Sequence, residues 1–237
     1  MELLERSSVG RRQPIRDLRD FLERIEAAGE VVHFDGVDWK HEMGGIAEVV
    51  NHKRSNAPAV LFDRVPGYPA GYRVLSGQTN SAKRLAISLG LPEPRTALDL
   101  VRMLRDKMKT HQLIPPRVVE AGPILENIDS DDSVDLLKFP VPWVHEHDGG
   151  RYIGTGDIVV MRDPETDWIN AATYRVEVHS KNTAGIWISP GKHGRQIREK
   201  YYAAGKPCPV LVSCGHDPIL AIAGSHEVKH GVSEYAY

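Results

Sequence analysis

Two hydrophobic patterns divide the 237-residue chain, and they meet near residue 115. Before that point, apolar residues at helical spacing alternate with short apolar runs bounded by Pro and Gly, which is typical of helices alternating with strands. After Pro140, apolar and β-branched runs follow one another between turn dipeptides such as Asp163-Pro164, which indicates successive strands. We therefore expect an α+β chain, with an N-terminal α/β domain over residues 1–115 and a strand-rich domain over residues 116–237.

Hydrophobic spacing also predicts the individual elements. Helices are expected over residues 17–28, 46–52, 81–90 and 192–204, and in a segment that begins at Thr96 and reaches Met108. Strands are expected over residues 30–34, 59–62, 152–161, 171–178, 183–188, 209–213 and 219–223. The close succession of strands after residue 150 indicates a meander or a barrel.

Charge and cysteine content narrow the function classes. The 30 Lys and Arg residues nearly balance the 32 Asp and Glu residues, so the net charge of −2 gives no electrostatic footprint for nucleic acid. The two cysteines, Cys208 and Cys214, are too few for a disulfide scaffold and fit a reducing compartment. No run approaches ~18 apolar residues, and the first 12 residues hold no apolar segment. We expect a cytoplasmic protein without a nucleic-acid or membrane partner.

Four polar residues stand at the edges of the predicted strands: Asn170, Arg175, His193 and Glu234. His193 lies in a glycine-containing turn that leads into a helix, where free backbone N–H groups suit a phosphate. The turn has neither Walker nor dinucleotide-fingerprint spacing, so a solvated basic turn is an equal alternative. Structural alternatives stay open for the others as well: Asn170 could begin a strand, and Arg175 could pair with Glu177 or a neighbouring strand.

An amide oxygen, an imidazole and a carboxylate would form a mixed ligand set. Such a set suits Mn²⁺ or Mg²⁺, completed by phosphate and water, better than a closed zinc site. A cation between a bound phosphate and the protein would offset the phosphate charge, which Lys192 and the helix terminus neutralise in part. If Asn170, His193 and Glu234 meet in the fold, the chain can hold a metal-bridged phosphate cofactor.

Two further histidine clusters offer metal sites of another kind. Residues 145–148 read His-Glu-His-Asp, but no third ligand is indicated by spacing, and we favour a polar loop. Residues 226–230 read His-Glu-Val-Lys-His, which resembles half of a zinc-protease helix. Gly224 and Gly231 leave little room for the long helix that such a motif needs. A zinc hydrolase is therefore a minor alternative.

Three segments together resemble one known family. They are residues 168–175 (Trp-Ile-Asn-Ala-Ala-Thr-Tyr-Arg), 189–197 (Ser-Pro-Gly-Lys-His-Gly-Arg-Gln-Ile) and 231–234 (Gly-Val-Ser-Glu). Their order and spacing are similar to those of the UbiD family of prenylated-flavin decarboxylases, and the similarity covers essentially the whole chain. The resemblance implies that residues 116–237 form part of a flavin-binding split β-barrel.

The resemblance also implies a set of site residues. Asn170, His193 and Glu234 would hold a divalent ion, typically Mn²⁺, which bridges to the phosphate of prenylated FMN with K⁺ nearby. The residues that would line the cofactor are Thr173, Tyr174, Arg175, Trp187, Ile188, Ser189, Lys192 and His193. Strict alternation would place Asn170 and Arg175 on opposite faces of one strand, so we predict a bulge or an irregular strand between them.

The implied reaction is the reversible, non-oxidative decarboxylation of an aromatic, heteroaromatic or α,β-unsaturated carboxylic acid. Arg175 would belong to a Glu-Arg-Glu network and orient the substrate carboxylate. The modified flavin would accept the electrons released as CO₂ leaves. The partners would be a small carboxylic acid and CO₂, and the full-length form would be a homo-oligomer, either a dimer or a hexamer.

The sequence departs from the family pattern after Glu234. Family members are roughly double this length, and both glutamates of the network lie downstream of the Gly-Val-Ser-Glu motif, which here comes just before Tyr237. We therefore expect an amino-terminal portion of such an enzyme, or a subunit completed by another chain, inactive in isolation because the proton donor is missing. The alternative is a non-catalytic flavin-binding or assembly module.

Overall fold

The computed structural model describes residues 14–53 and 56–237. The expectation that the first 12 residues form no leader therefore lies outside the described residues. The helices are α1 (Leu18–Ala27), α2 (Glu42–Lys53), α3 (Ala82–Ser88), α4 (Ala97–Met108), α5 (His193–Ala203) and α6 (Pro218–Ser225). The strands are β1 (Val31–Asp35), β2 (Ala59–Asp63), β3 (Val74–Ser76), β4 (Arg151–Gly154), β5 (Ile158–Arg162), β6 (Ile169–Ala172), β7 (Arg175–Val178), β8 (Ala184–Trp187) and β9 (Leu211–Ser213). Short 3₁₀ turns cover Pro123–Leu125, Asp131–Ser133, Leu136–Lys138 and Glu234–Ala236.

A small mixed sheet organises the N-terminal part. Strand β2 lies between β1, which runs parallel to it, and β3, which runs antiparallel. Helix α1 begins where the Asp17 side chain accepts a hydrogen bond from the Asp20 backbone N–H, and it buries Phe21 and Ile25 against Ala59 and its neighbours. The helix–strand alternation predicted for this part is confirmed, and β3 is a strand that the sequence pattern did not reveal.

Two three-stranded antiparallel sheets make up the second part, in the orders β4-β7-β8 and β6-β5-β9. The strand predicted over residues 171–178 is broken at Thr173 and Tyr174, so that β6 and β7 belong to different sheets. This break confirms the irregularity expected between Asn170 and Arg175. The α+β class is confirmed as well; within residues 14–53 and 56–237 the strands form small sheets and no closed barrel.

The predicted strand over residues 219–223 is wrong, because this segment forms helix α6. The Asp217 side chain accepts a hydrogen bond from the Ile219 backbone N–H at 2.6 Å, and Pro218 occupies the first turn, where its missing N–H costs nothing. Close packing then favours Gly224: a Cβ there would lie 2.5 Å from Cδ1 of Ile158. The predicted strand over residues 152–161 is likewise interrupted, between β4 and β5.

The two parts meet through backbone and aromatic contacts. The Trp143 backbone N–H donates to the Trp39 carbonyl at 3.0 Å, and the Arg151 guanidinium lies 4.0 Å from the centre of the Trp39 ring. Residues 109–150, between α4 and β4, hold 3₁₀ turns and an isolated bridge from Lys40 to Trp143. The domain boundary near residue 115 stays a prediction. Among the helices described, none has the length and apolar character that crossing a bilayer requires.

Candidate functional site

The buried centre of the second part is a hydrogen-bonded pair, Asn170 on β6 and Glu234 in the last 3₁₀ turn. The Asn170 amide Nδ2 donates to Oε1 of Glu234 at 2.8 Å, and the Ala171 backbone N–H donates to Oε2 at 2.8 Å. Asn170 is 1% exposed and Glu234 is 3% exposed. Sixty-four residues of sequence therefore separate two side chains that are in direct contact.

Tyr174 connects this pair to the start of α5. Its hydroxyl donates to Oδ1 of Asn170 at 3.2 Å and accepts from the Gly194 backbone N–H at 3.0 Å. Burial raises the pKa of Tyr174 above its usual value, so the hydroxyl stays protonated and can keep both roles. A Cβ at Gly194 would lie 2.8 Å from Cε2 of Tyr174, which explains why a glycine follows His193 here.

Trp168 places His193 beside this network. The indole ring contacts the His193 ring at a centroid distance of 4.9 Å and the His230 ring at 4.5 Å. Its Nε1–H donates to the Val232 carbonyl at 2.9 Å, which ties the segment before Glu234 to the strand. The imidazole of His193 makes no hydrogen bond with any residue that the structure describes.

The donor set fits a hard divalent cation. The Glu234 carboxylate is buried and has no cationic partner among the described residues, and a buried charge of this kind is stable when an ion neutralises it. As predicted ligands, Asn170 would offer its Oδ1, which here accepts the Tyr174 hydroxyl, and His193 would offer a ring nitrogen that has no hydrogen bond within the described part of the chain.

The turn before α5 is suited to an anion. Lys192 is the N-cap residue of α5, no side chain caps the helix, and its first turn holds no acidic residue. The helix dipole therefore favours negative charge here, although the Gly194 N–H is bonded to the Tyr174 hydroxyl and the next two N–H groups to the Lys192 carbonyl. The Lys192 ammonium is half exposed and forms a 3.2 Å ion pair with Glu227, which is exposed as well. Because an exposed ion pair contributes little free energy, Lys192 can give up Glu227 and bind a phosphate instead.

Arg175 lies outside the buried network, on the open face of the sheet β4-β7-β8. It lines a pocket of about 310 Å³ together with Tyr152, Glu177, His179 and residues 185–187. Trp187, which is 62% exposed, is its neighbour across the strands. The guanidinium forms no ion pair or hydrogen bond within the described part of the chain, so it is available to a bound carboxylate.

The structure brings some of the predicted site residues together and places others, including Arg175 and Trp187, in a separate pocket. Asn170 and Glu234 are in contact, and Tyr174 and Gly194 connect them to the segment that carries His193. Thr173 lies in the link between β6 and β7, Ile188 is buried after β8, and Ser189 is exposed in the turn that precedes α5. Their roles toward a metal or a cofactor stay predictions.

The alternative histidine sites do not form metal cages. No three His, Cys, Asp or Glu side chains of the described residues converge as metal ligands. Residues 226–230 follow the end of α6 and are not helical, and Nδ1 of His226 lies 2.7 Å from the Ile222 carbonyl. His145 lies in a loop, as favoured, with its backbone N–H donating to Asp148 at 3.0 Å.

Sequence reasoning missed several residues of this region. Tyr152 and His179 line the Arg175 pocket, and His230 packs on Trp168 beside His193. Alternation along β7 placed Glu177 and His179 on the same face as Arg175, and this was the one available signal. Tyr152 comes from another strand, which only the pairing of β4 with β7 brings close.

Family models match both parts of the chain. Residues 117–237 match the model of the 3-octaprenyl-4-hydroxybenzoate carboxy-lyase Rift-related domain, and residues 22–104 match the model of the N-terminal domain of the same carboxy-lyase. A curated relative, the pyrrole-2-carboxylic acid decarboxylase of Pseudomonas aeruginosa, is 37% identical over 232 residues, which are 93% of this chain and 46% of the relative.

Two solved structures are similar over nearly the whole chain. The closed form of vanillic acid decarboxylase from Sedimentibacter hydroxybenzoicus has a TM-score of 0.87 and 30% identity, covering 95% of this chain and 48% of that one. An evolved dimeric form of HmfF from Pelotomaculum thermopropionicum, in complex with prFMN, has a TM-score of 0.79 and 26% identity, covering 92% and 48%. The chain spans about half the length of the curated relatives that it matches.

Proposed function

The chain belongs to the UbiD family of carboxy-lyases, and on that premise we propose that it supplies the flavin-binding half of a decarboxylase for small aromatic, heteroaromatic or α,β-unsaturated acids. The relatives support this proposal, since they are named as decarboxylases of aromatic acids and one neighbour was solved with prFMN. The observation that carries it is the buried Glu234 carboxylate, bonded to Asn170 and lacking a cation among the described residues.

Asn170, His193 and Glu234 would hold Mn²⁺, with K⁺ nearby, and the start of α5 with Lys192 would bind the phosphate of prenylated FMN. When bound, the prenylated flavin supplies the electron sink that makes loss of CO₂ feasible. Tyr174 fixes the distance between β6 and α5 through its two hydrogen bonds. Burial raises the pKa of Tyr174, so its hydroxyl stays protonated and can donate to Asn170 at neutral pH.

Arg175 would bind the substrate carboxylate. Its guanidinium has no competing partner among the described residues, and a planar guanidinium matches a carboxylate in two parallel hydrogen bonds. Trp187 lies next to it and offers a flat apolar surface for an unsaturated substrate. The substrate would thus lie between the charged face of β7 and the end of β8.

The absence of an ion-pair partner for Arg175 among the described residues also favours a second candidate function, in which the chain binds the flavin but does not convert substrate by itself. The Glu-Arg-Glu network implied by the resemblance needs carboxylates beside Arg175, and no described carboxylate forms an ion pair with it. Substrate protonation would then depend on residues outside the described part of the chain. Assembly into a homo-oligomer belongs to the same proposal.

Reconstitution tests the proposal directly. We expect the chain to retain prenylated FMN and about one Mn²⁺ after gel filtration, and His193→Ala to lose the metal. His226→Ala is the matched control, because His226 is exposed and bonded to its own helix. Release of CO₂ from a panel of aromatic and acrylic acids separates the two candidates: flavin retention with no CO₂ supports the second. Equal metal content in His193→Ala and the control would overturn the metal assignment.

A further inference from the structure

A stretch of apolar side chains lies open on the surface between α4 and β4, within residues 113–128. The most exposed of them, Val118, is 92% accessible to solvent. A soluble protein seldom leaves so many neighbouring apolar side chains in water unless a partner covers them. Six of these residues are more than half exposed: Ile114, Val118, Val119, Ile124, Leu125 and Ile128.

The main chain of this segment is largely unengaged as well. Residues 115–121 belong to no helix or strand, and their backbone N–H and C=O groups form no hydrogen bond with any described residue. The Ile114 backbone N–H, just before them, donates to the Ala236 carbonyl at 2.8 Å. The apolar side chains of residues 113–128 and the main chain of residues 115–121 are therefore available to a partner.

Charge limits the kind of partner that the segment fits. Residues 113–128 contain one basic residue, Arg117, and two acidic residues, Glu120 and Glu126. A single Arg does not form the basic cluster that attracts nucleic acid or an anionic membrane surface. An apolar and nearly neutral surface instead fits the apolar face of another polypeptide, since charged residues are depleted at the centre of protein interfaces.

The last residues of the chain lie beside the start of this segment. In addition to the hydrogen bond between Ile114 and Ala236, the His111 ring contacts the Tyr237 ring at a centroid distance of 4.9 Å. The Tyr235 and Tyr237 side chains are themselves exposed. A polypeptide that packs against the last 3₁₀ turn would therefore contact residues 113–128 as well.

The relatives contain a second half that begins at this place in the fold. The chain covers 46% of the Pseudomonas aeruginosa decarboxylase and 48% of the Sedimentibacter hydroxybenzoicus enzyme. Because residues 22–104 match the N-terminal domain of the carboxy-lyase, the unmatched half of those relatives follows the match in sequence. In a chain with the present fold, that half would begin where Tyr237 lies, next to residues 113–128.

We propose that residues 113–128 are the docking surface for the C-terminal half of a UbiD-type decarboxylase, and that the six exposed apolar side chains supply its central contacts. The inference rests on the proposed function, because it names the surface through which this flavin-binding half joins the half that would supply carboxylates to Arg175. The two halves would bury their apolar surfaces against each other, which removes both surfaces from water.

Co-expression tests the docking surface, because the two polypeptides then fold in each other's presence. The probe is the C-terminal half of the Pseudomonas aeruginosa decarboxylase, which is the part beyond its match with this chain. With an affinity tag on the present chain, we expect the two polypeptides to co-purify in equimolar amounts. Trypsin cleavage after Arg117, which is exposed, should be at least about tenfold slower in the complex than in the chain alone, because docking covers this peptide bond.

Two substitutions address the apolar side chains directly. Val118→Asp combined with Ile124→Asp should reduce the recovered partner at least about tenfold, because each places an unpaired charge in an apolar contact. Val49→Asp is the matched control: Val49 is also exposed, but it lies on α2, so this variant should recover the partner as the wild type does. Since Val118 and Ile124 are so exposed, the double variant should keep the urea midpoint of the wild type, which excludes misfolding as the cause.

Three results would overturn the inference: failure to co-purify, recovery of the partner despite the double substitution, and unchanged cleavage after Arg117. A dimer of the chain alone that Val118→Asp dissociates would overturn it as well, since a second copy would then occupy the surface. If the chain retains prenylated FMN and Mn²⁺ yet binds no partner, the inference alone fails, whereas loss of both cofactors refutes the proposed function.

Discussion

Removing the Glu234 carboxylate should destabilise the whole second part of the protein. Glu234→Ala deletes the acceptor of two buried hydrogen bonds, from Asn170 Nδ2 and from the Ala171 backbone N–H, each 2.8 Å long. Hydrogen bonds to a charged group contribute about 1.5–3 kcal/mol each. We therefore expect the free energy of unfolding to fall by about 3 kcal/mol or more.

The conservative change should cost less. Glu234→Gln keeps the volume and one acceptor oxygen, but its amide N–H₂ must face one of the two donors, so we expect roughly half of the loss seen for alanine. Glu227→Gln is the matched control, because Glu227 is exposed and its ion pair with Lys192 lies in solvent. That variant should stay within about 0.5 kcal/mol of the wild type.

Urea unfolding followed by circular dichroism measures these differences, provided that the slope of free energy against urea is unchanged. In a thermal scan, about 3 kcal/mol corresponds to a fall of roughly 6–12 °C for a chain of this size. A Glu234→Ala variant that unfolds within 1 kcal/mol of the wild type would refute the reasoning, because the last 3₁₀ turn would then not be fastened to β6 by this carboxylate.

Two further predictions concern other buried contacts. Gly44 and Gly45 are neighbours in α2, yet a Cβ at Gly44 would lie 2.1 Å from the Val144 carbonyl oxygen, while a Cβ at Gly45 would meet nothing within 4 Å. Gly44→Ala should therefore lower the urea midpoint of unfolding, and Gly45→Ala should raise the free energy of unfolding by about 0.5–1 kcal/mol. Equal effects of the two substitutions would contradict the close contact between Gly44 and Val144. Burial raises the pKa of Asp157 from 3.8 to about 6, and neither carboxylate oxygen has a hydrogen-bond partner among the described residues. Because this folded-state pKa exceeds the unfolded one, the carboxyl destabilises the fold progressively as pH rises from about 4 to above 6. Asp157→Asn should thus be more stable than the wild type by about 2–3 kcal/mol at pH 8, with the gap closing toward pH 4; a gap independent of pH would show that Asp157 is not buried as a charge.

The sequence predicted those features of the site that depend on residues close together in the chain. The turn carrying His193 and the N-terminus of α5 are local, and their glycines and spacing indicated them directly. The break at Thr173 and Tyr174 was predicted because Asn170 and Arg175 would lie on opposite faces of a regular strand and could not both face one site. The strand predicted over residues 219–223 was wrong because apolar runs of this length suit either element, and the capping signal of Asp217 and Pro218 decided for a helix.

By itself the sequence determined the class of the chain: the spacing of apolar residues set its helices and most of its strands, and three motif segments identified the family. Only the tertiary structure brought Asn170 into contact with Glu234 and Tyr152 into contact with Glu177. These pairs are 64 and 25 residues apart, and no local preference specifies which distant groups will meet. Which groups meet depends on the whole fold, because buried polar groups are stable only when they are hydrogen-bonded and strand pairing determines which partners lie close enough.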